Sequence, residues 1–381
     1  MPKYKFSDIA INSTKKKKPV EEDKYTYIGL EHLDSGTLTV SRWGAEVAPI
    51  GEKLIMKKGD VLFGKRRAYQ KKVGIAPFDG IFSAHGMVLR PKEKVITKEY
   101  FPLFISSDYF LDKAIQISVG SLSPTINWRD LKNLEFELPS IEEQQRVAPV
   151  IWAVIDTKNA YNKLLQETDE LIKSQFIEMF GEEEVGECKW PVALMEDVFS
   201  ITSSRRILKS EWKTEGSIPF IRVRDMVQLA NGEPLTNEFF VSEEFYNSRP
   251  EDEIVKAGDI IVSATSTIGK TYIIKPGERF YFKDADVLLF RKKKNINEIF
   301  FTYGLTMPTV WKQIEGGLGA TTVAHFLISK ASKLKQPLPP TELQEEFARL
   351  LEQTDKSKFE LKQAIEGVEN LIRSLVHQEL K

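Results

Sequence analysis

Two stretches of this 381-residue chain lie 200 positions apart and carry the same pattern, so the chain is expected to fold as two related units rather than one. Leu138-Pro139, followed by Glu142 and Gln144, returns as Leu338-Pro339, followed by Glu342 and Gln344. The apolar positions beyond them repeat at the same spacing: Val147, Ile151, Leu164, Leu165, Leu171 and Ile172 answer to Phe347, Leu351, Ala364, Ile365, Leu371 and Ile372. Upstream the match continues at slightly smaller offsets, as loops of unequal length require. Lys57-Lys58-Gly59-Asp60-Val61-Leu62 corresponds to Lys256-Ala257-Gly258-Asp259-Ile260-Ile261, and Tyr27 to Leu33 corresponds to Phe220 to Met226. Each copy reads as a mixed domain followed by a long helix.

Ser140-Ile-Glu-Glu143 and Thr341-Glu-Leu-Gln344 have the form of capping boxes, in which a hydroxyl and a side chain three residues on satisfy opposite backbone donors. The stripe of apolar residues that follows is heptad-like and predicts helices of about 40 residues, roughly 60 Å long. A small domain cannot bury such a stripe alone, so the two equivalent helices are expected to pack on each other as an antiparallel pair. Pro149 is expected to bend the first, and Phe180-Gly181 gives it a glycine end.

The mixed domains, residues 1 to 139 and 186 to 338, alternate short β-rich runs with Gly, Asp and Pro, which predicts an α+β fold. Strands are expected around Asp60–Gly64, Gly86–Arg90, Asp259–Ser263 and Asp286–Arg291, and single helices over Glu99–Leu111 and Asn297–Trp311. The lone cysteine, Cys188, excludes an intrachain disulfide and favours a reducing compartment. No apolar stretch is long enough to span a bilayer, and the lysine-rich start lacks the apolar core of a signal peptide, so a soluble cytoplasmic protein is expected.

Net charge is −1, which argues against a nucleic-acid partner until its distribution is considered. The two helical segments are acidic and the domains correspondingly basic, and a local cationic surface attracts phosphates whatever the total charge. The loop Gly64–Gly74 combines five cations, Lys65, Arg66, Arg67, Lys71 and Lys72, with Tyr69 and Gln70, side chains suited to phosphate, base-edge and stacking contacts. Its counterpart is hydroxyl-rich, with Ser263, Thr265, Thr267 and Lys270. Thr125, in the loop Gly120–Ile126, and Arg222 and Arg224, on an expected strand, complete the candidate contacts; the loop Gly316–Val323 is the counterpart of Gly120–Ile126.

Catalytic motifs are missing from the sequence. It has no phosphate-binding glycine loop, dinucleotide fingerprint, Cys/His cluster or base-flipping Asn/Asp-Pro-Pro-Tyr/Phe tetrapeptide. Asp197 with Glu211-Trp-Lys213 loosely matches the spacing of a metal-dependent nuclease. A DNA nuclease and a coiled-coil adaptor that does not bind DNA are therefore the rival readings.

The segments Leu138–Arg146 through Glu178-Met-Phe-Gly181, Leu338–Gln344 onward, and the Lys-x-Gly-Asp motifs at 57–60 and 256–259 together resemble the specificity subunit of type I restriction-modification systems over essentially the whole chain. The resemblance implies two target recognition domains, 1–139 and 186–338, and two spacer helices, 140–181 and 340–381, forming an antiparallel coiled coil. It implies that the chain reads a bipartite, asymmetric double-stranded DNA site and scaffolds two methyltransferase subunits and the endonuclease/translocase subunits. The chain itself would be non-catalytic and without cofactor. S-adenosylmethionine, ATP and magnesium would bind the partner subunits.

Overall fold

The computed structural model of the chain describes residues 1–181, 189–236, 238–316 and 325–379. It divides into two compact units, Met1–Leu164 with Leu361–Lys381 and Leu165–Glu360. Both long helices, Ile141–Phe180 and Thr341–Glu379, cross this division, so each unit holds one mixed domain and part of each helix.

In the first unit the strands Ala10–Ser13, Met87–Pro91, Val61–Phe63 and Val73–Ile75 form an antiparallel sheet in that order. A second sheet orders Lys16–Lys17, Lys53–Met56, Gly80–Phe82 and Tyr27–Ile28, with the last pair parallel. The second unit repeats the first sheet strand for strand, as Phe199–Thr202, Val287–Lys292, Ile260–Ser263 and Thr271–Ile273. It also keeps the parallel pair, now Ile218–Ile221 beside Tyr281–Phe282. A two-stranded ribbon joins the two ends of each domain, Lys3–Lys5 with Glu135–Glu137 and Val192–Leu194 with Lys335–Pro337.

The repeated motifs act as structural fasteners. Gly59 and Gly258 take φ of +88° and +84°, the left-handed turn that glycine adopts without penalty. The aspartate that follows folds back on the turn. Asp60 accepts from the Lys57 amide (2.8 Å) and grips Arg90 on the neighbouring strand through Nε (2.7 Å) and a terminal nitrogen (2.8 Å). Asp259 does the same with the Lys256 amide (2.8 Å) and Arg291 (3.1 and 2.6 Å). The glutamine of Leu-Pro-x-x-x-x-Gln latches helix to domain. Gln144, fully buried, accepts from the Thr97 amide (2.8 Å) and donates to the carbonyls of Val95 and Pro139 (both 3.0 Å). Gln344 accepts from the Asn297 amide (2.9 Å) and donates to the Pro339 carbonyl (2.7 Å).

That latch corrects the capping reading of the second copy. Thr341 is itself the first helical residue, and the Gln344 amide is committed to Asn297 and Pro339. In the first copy the Glu143 amide does donate to Ser140 Oγ (3.2 Å). The expected single helices are each split in two. Tyr100–Ser106 gives way to Asp108–Gln116 because Ser107 caps the second helix by accepting from the Phe110 amide (3.2 Å). Glu298–Gly304 gives way to Pro308–Gly316, where Pro308 lacks the donor that a continuous helix needs. The first long helix continues through Pro149 to Phe180.

Contacts within each unit fix the sense of the helix pair. In the first unit Lys158 pairs with Glu369 (2.7 Å), and in the second Lys358 pairs with Asp169 (2.7 Å). Going up one helix from Lys158 to Asp169 goes down the other from Glu369 to Lys358, so the helices are antiparallel. The two bridges are counterparts in the repeat, since Lys158 corresponds to Lys358 and Asp169 to Glu369.

Candidate nucleic-acid interface

The two loops singled out in the first domain lie against each other. The Ile126 amide donates to the Lys65 carbonyl (2.9 Å), the Ala68 amide to Pro124 (3.3 Å), and Arg66 and Thr125 form an isolated antiparallel bridge. Arg66 Nε donates to Ser123 Oγ (3.0 Å), and its guanidinium meets His85 Nε2 at 3.5 Å. Thr125 Oγ1 is used inside its own loop, donating to the Ser123 carbonyl (3.1 Å). Arg67 and Tyr69, the latter 57% exposed, project with no side-chain partner among the described residues.

Not every cation of the loop is available. Lys71 bridges Asp108 (2.6 Å) and Asp112 (2.8 Å), and Lys72 donates to the Leu30 carbonyl (2.7 Å), so these two brace the loop against the domain. Lys65 is half-buried, and burial with nearby Lys16 lowers its pKa. Gln70 is half-buried, and its carbonyl accepts from Ser35. The cationic face that remains is built on Lys65, Arg66 and Arg67. His85, which no motif marks, belongs to it. Burial first, then Arg66, Lys65 and Lys53, hold its pKa below the ordinary histidine value, so it stands as a neutral ring among cations.

The second domain keeps the frame and changes its contents. Gly64 N to Lys72 O (2.9 Å) has its equivalent in Ser263 N to Lys270 O (2.9 Å), and Ile126 N to Lys65 O in Phe326 N to Ala264 O (2.9 Å). Arg67 at φ +54° corresponds to Ser266 at φ +57°, both non-glycine residues in the left-handed region, a strain that concentrates at functional positions. Lys65-Arg66-Arg67 is thus replaced by Ala264-Thr265-Ser266.

Two of the candidate contacts in this domain are corrected, and for two more the strand placement is. Ser263 is fully buried and its hydroxyl bonds the loop's own backbone, accepting from the Lys270 amide (2.9 Å), and Thr265 is only 6% exposed. Neither side chain faces outward. Arg222 and Arg224 are not on a strand, which ends at Ile221. Arg222 precedes the helix Val223–Ala230, whose start Asp225 caps by accepting from the Arg222 amide (2.9 Å). Both arginines are paired with acids, Arg222 with Asp225 (2.9 Å) and Glu238 (2.9 Å), Arg224 with Glu238 (2.6 Å). Thr267 and Lys270 are exposed, and Ser266 joins them as the residue the sequence reading missed. Its signal in the sequence is its alignment with Arg67 at the offset of 199 that also relates Gly59 to Gly258. The counterpart of the Gly120–Ile126 loop lies largely outside the described residues.

Among the described residues no group of three or more His, Cys, Asp or Glu side chains is placed to hold a metal ion. Of the nuclease-like triplet, Glu211 accepts from the Leu208 amide (2.8 Å) and Lys213 pairs through its backbone with Phe240. No helix among those residues is long and apolar enough to cross a membrane.

Residues 3–171 and 188–369 each match the model of the type I restriction modification DNA specificity domain. The chain belongs to that family. Two family domains on one chain are what the internal repeat predicts. A Haemophilus influenzae relative described as a type I restriction enzyme specificity subunit is 28% identical over 156 residues, spanning 41% of this chain and 38% of that one. The MjaVIII specificity subunit of Methanocaldococcus jannaschii is 23% identical over 385 residues, 92% of this chain and 85% of that one. The crystal structure of a type I restriction-modification S subunit from M. genitalium shares the fold, with a TM-score of 0.59 at 14% identity over 100% of this chain and 96% of that one.

Proposed function

We propose that this specificity-family chain reads a bipartite, asymmetric site in double-stranded DNA and scaffolds a type I restriction-modification complex in the cytoplasm. Two methyltransferase subunits and the endonuclease/translocase subunits would dock on it, bringing S-adenosylmethionine, ATP and magnesium with them. The chain would supply recognition and spacing and no catalysis. The observation that carries this reading is one loop frame, with the same hydrogen bonds and the same strained residue, which holds Lys65-Arg66-Arg67 in one domain and Ala264-Thr265-Ser266, of which only Ser266 is exposed, in the other. A frame kept while its contents diverge is the arrangement needed for two domains to read unlike half-sites on one duplex.

Mapping modified bases in the genome of a host that carries this chain and its methyltransferase tests the reading. A single split motif with two unlike halves is expected. An unsplit motif, or none in an actively methylating host, would contradict it.

A further inference from the structure

The hairpin that braces Arg66 carries a feature that the cationic loop does not explain. Val119 and Thr125 pair through both backbone hydrogen bonds (3.0 and 2.9 Å) and close the loop Gly120-Ser-Leu-Ser-Pro124, which Gly120 enters at φ +113°. Leu122, at its tip, is 94% exposed, and Val119 beside it is 65% exposed. Such a leucine gains nothing in the free protein, since water meets almost its whole surface. Its surroundings identify what covers it. Arg66 is tied to Ser123 in the same loop, and Lys65 and Arg67 flank Arg66 in the chain, so the tip stands in a cationic setting that favours a polyanion over an apolar protein surface.

We propose that Leu122 is a base-reading residue of the first domain, packing its side chain on the 5-methyl group of a thymine in the major groove. This assignment rests on the DNA reading proposed above. The major groove is wide enough for a two-stranded ribbon, and so for this shorter loop closed by one bridge pair, and the thymine methyl is the apolar group its floor offers. The closed hairpin fixes Leu122 before binding, and the Arg66–Ser123 contact sets the tip beside a guanidinium able to reach a phosphate or a guanine edge.

The test uses the assembled complex of this chain with its methyltransferase partner and duplexes carrying the mapped site. Each thymine of the first half-site is replaced in turn by uracil, which removes only the methyl group. The native complex should lose about three- to tenfold in affinity at one thymine. Leu122→Ala should lose a similar factor on the thymine duplex, be indifferent to uracil there, and keep the same salt dependence, because no phosphate contact is removed. Since Leu122 is exposed, an unchanged melting temperature is expected and separates this loss from misfolding.

The proposal is overturned by full affinity in Leu122→Ala, by a uracil effect that persists in that variant, or by a first half-site without a thymine. It is equally overturned if 2-aminopurine fluorescence reports a leucine-dependent unstacked base step, the mark of a minor-groove wedge. If instead removing the charges of Lys65, Arg66 and Arg67 leaves binding and its salt dependence unchanged, the DNA reading of this surface fails, whatever Leu122 does.

Discussion

The helical layers of the two domains are built on the same positions and filled differently. In the first, Phe104, Phe110 and Phe136 form an aromatic cluster, with Phe136 at 5.3 Å from Phe104 and 5.4 Å from Phe110. In the second the equivalent residues are Gly304, Val310 and Gln336. A recess lined by Phe176, Phe180, Phe300, Met307 and Val310 is left there. Into it points the Gln336 amide, which is 2% exposed and whose oxygen and nitrogen both lack a hydrogen-bond partner among the described residues. Gly304 leaves the space that this amide occupies, since a Cβ there would lie 2.0 Å from Gln336 Nε2 and displace it. Divergence has therefore reached the core as well as the loops, while the Gly-Asp turn, the glutamine latch and the strand order of the four-stranded antiparallel sheet stayed constant. What holds the frame is hydrogen-bonded backbone geometry, which has few solutions; what fills it is side-chain volume, which has many.

The sharpest way to break this comparison is to exchange core residues. Phe136→Gln should cost about 3–5 kcal/mol in denaturant unfolding, combining a lost aromatic and a buried amide without partners. Gln336→Leu should be neutral or stabilise by about 1–3 kcal/mol, because it removes two orphaned polar atoms from the same place. Equal costs at both positions would show that the two layers are alike after all.

The Asp clamps should behave as a matched pair. Asp60→Asn and Asp259→Asn each leave a guanidinium without its carboxylate, and each should cost about 1–3 kcal/mol, limited by the partial exposure of Arg90 and Arg291. A large loss in one domain and none in the other would mean that the motif fastens only one of them.

Smaller effects are expected at the strained loop residues. Arg67→Gly and Ser266→Gly relieve a left-handed backbone and should each stabilise by about 0.5–1 kcal/mol. Only the first should also flatten the salt dependence of DNA binding, by about one unit of slope if Arg67 meets a phosphate.

His85 should add a pH dependence to the first domain. Its pKa is depressed in the folded protein, so the unfolded chain takes up the proton first, and this residue lowers stability as pH falls through about 6.5. A phosphate drawn to the same cluster favours the protonated ring, so DNA affinity should rise more between pH 8 and pH 6 in the native protein than in His85→Gln. Parallel pH profiles for the two proteins would remove His85 from the interface.

Much of the frame was legible in the sequence because its signals are local. The heptad stripe marks both long helices, and the strands that follow Asp60 and Asp259 begin where the glycine turns end. The rest depended on contacts between distant segments. Nothing near Gln144 or Gln344 in sequence reveals that their amides reach Thr97 and Asn297, since Gln344 reads equally well as half of a capping box with Thr341 and Gln144 as an ordinary residue of the first helical turn. Charge counting gave Lys71 and Lys72 the same weight as Arg67, and only the fold brings Asp108 and the Leu30 carbonyl to the two lysines. Hydroxyl content pointed to Ser263 and Thr265, which the turn buries, while the exposed Ser266 between Thr265 and Thr267 was passed over.

The central claim is that each domain reads its own half-site through its own loop in a shared frame. The direct measurement is the methylation motif of a chain whose Lys65-Arg66-Arg67 tip is replaced by the second domain's Ala-Thr-Ser, compared with that of the native chain in the same host. Recognition should change or relax in one half of the motif, with the other half and the spacing between them intact. A change in both halves, in the spacing, or in neither half would contradict the account.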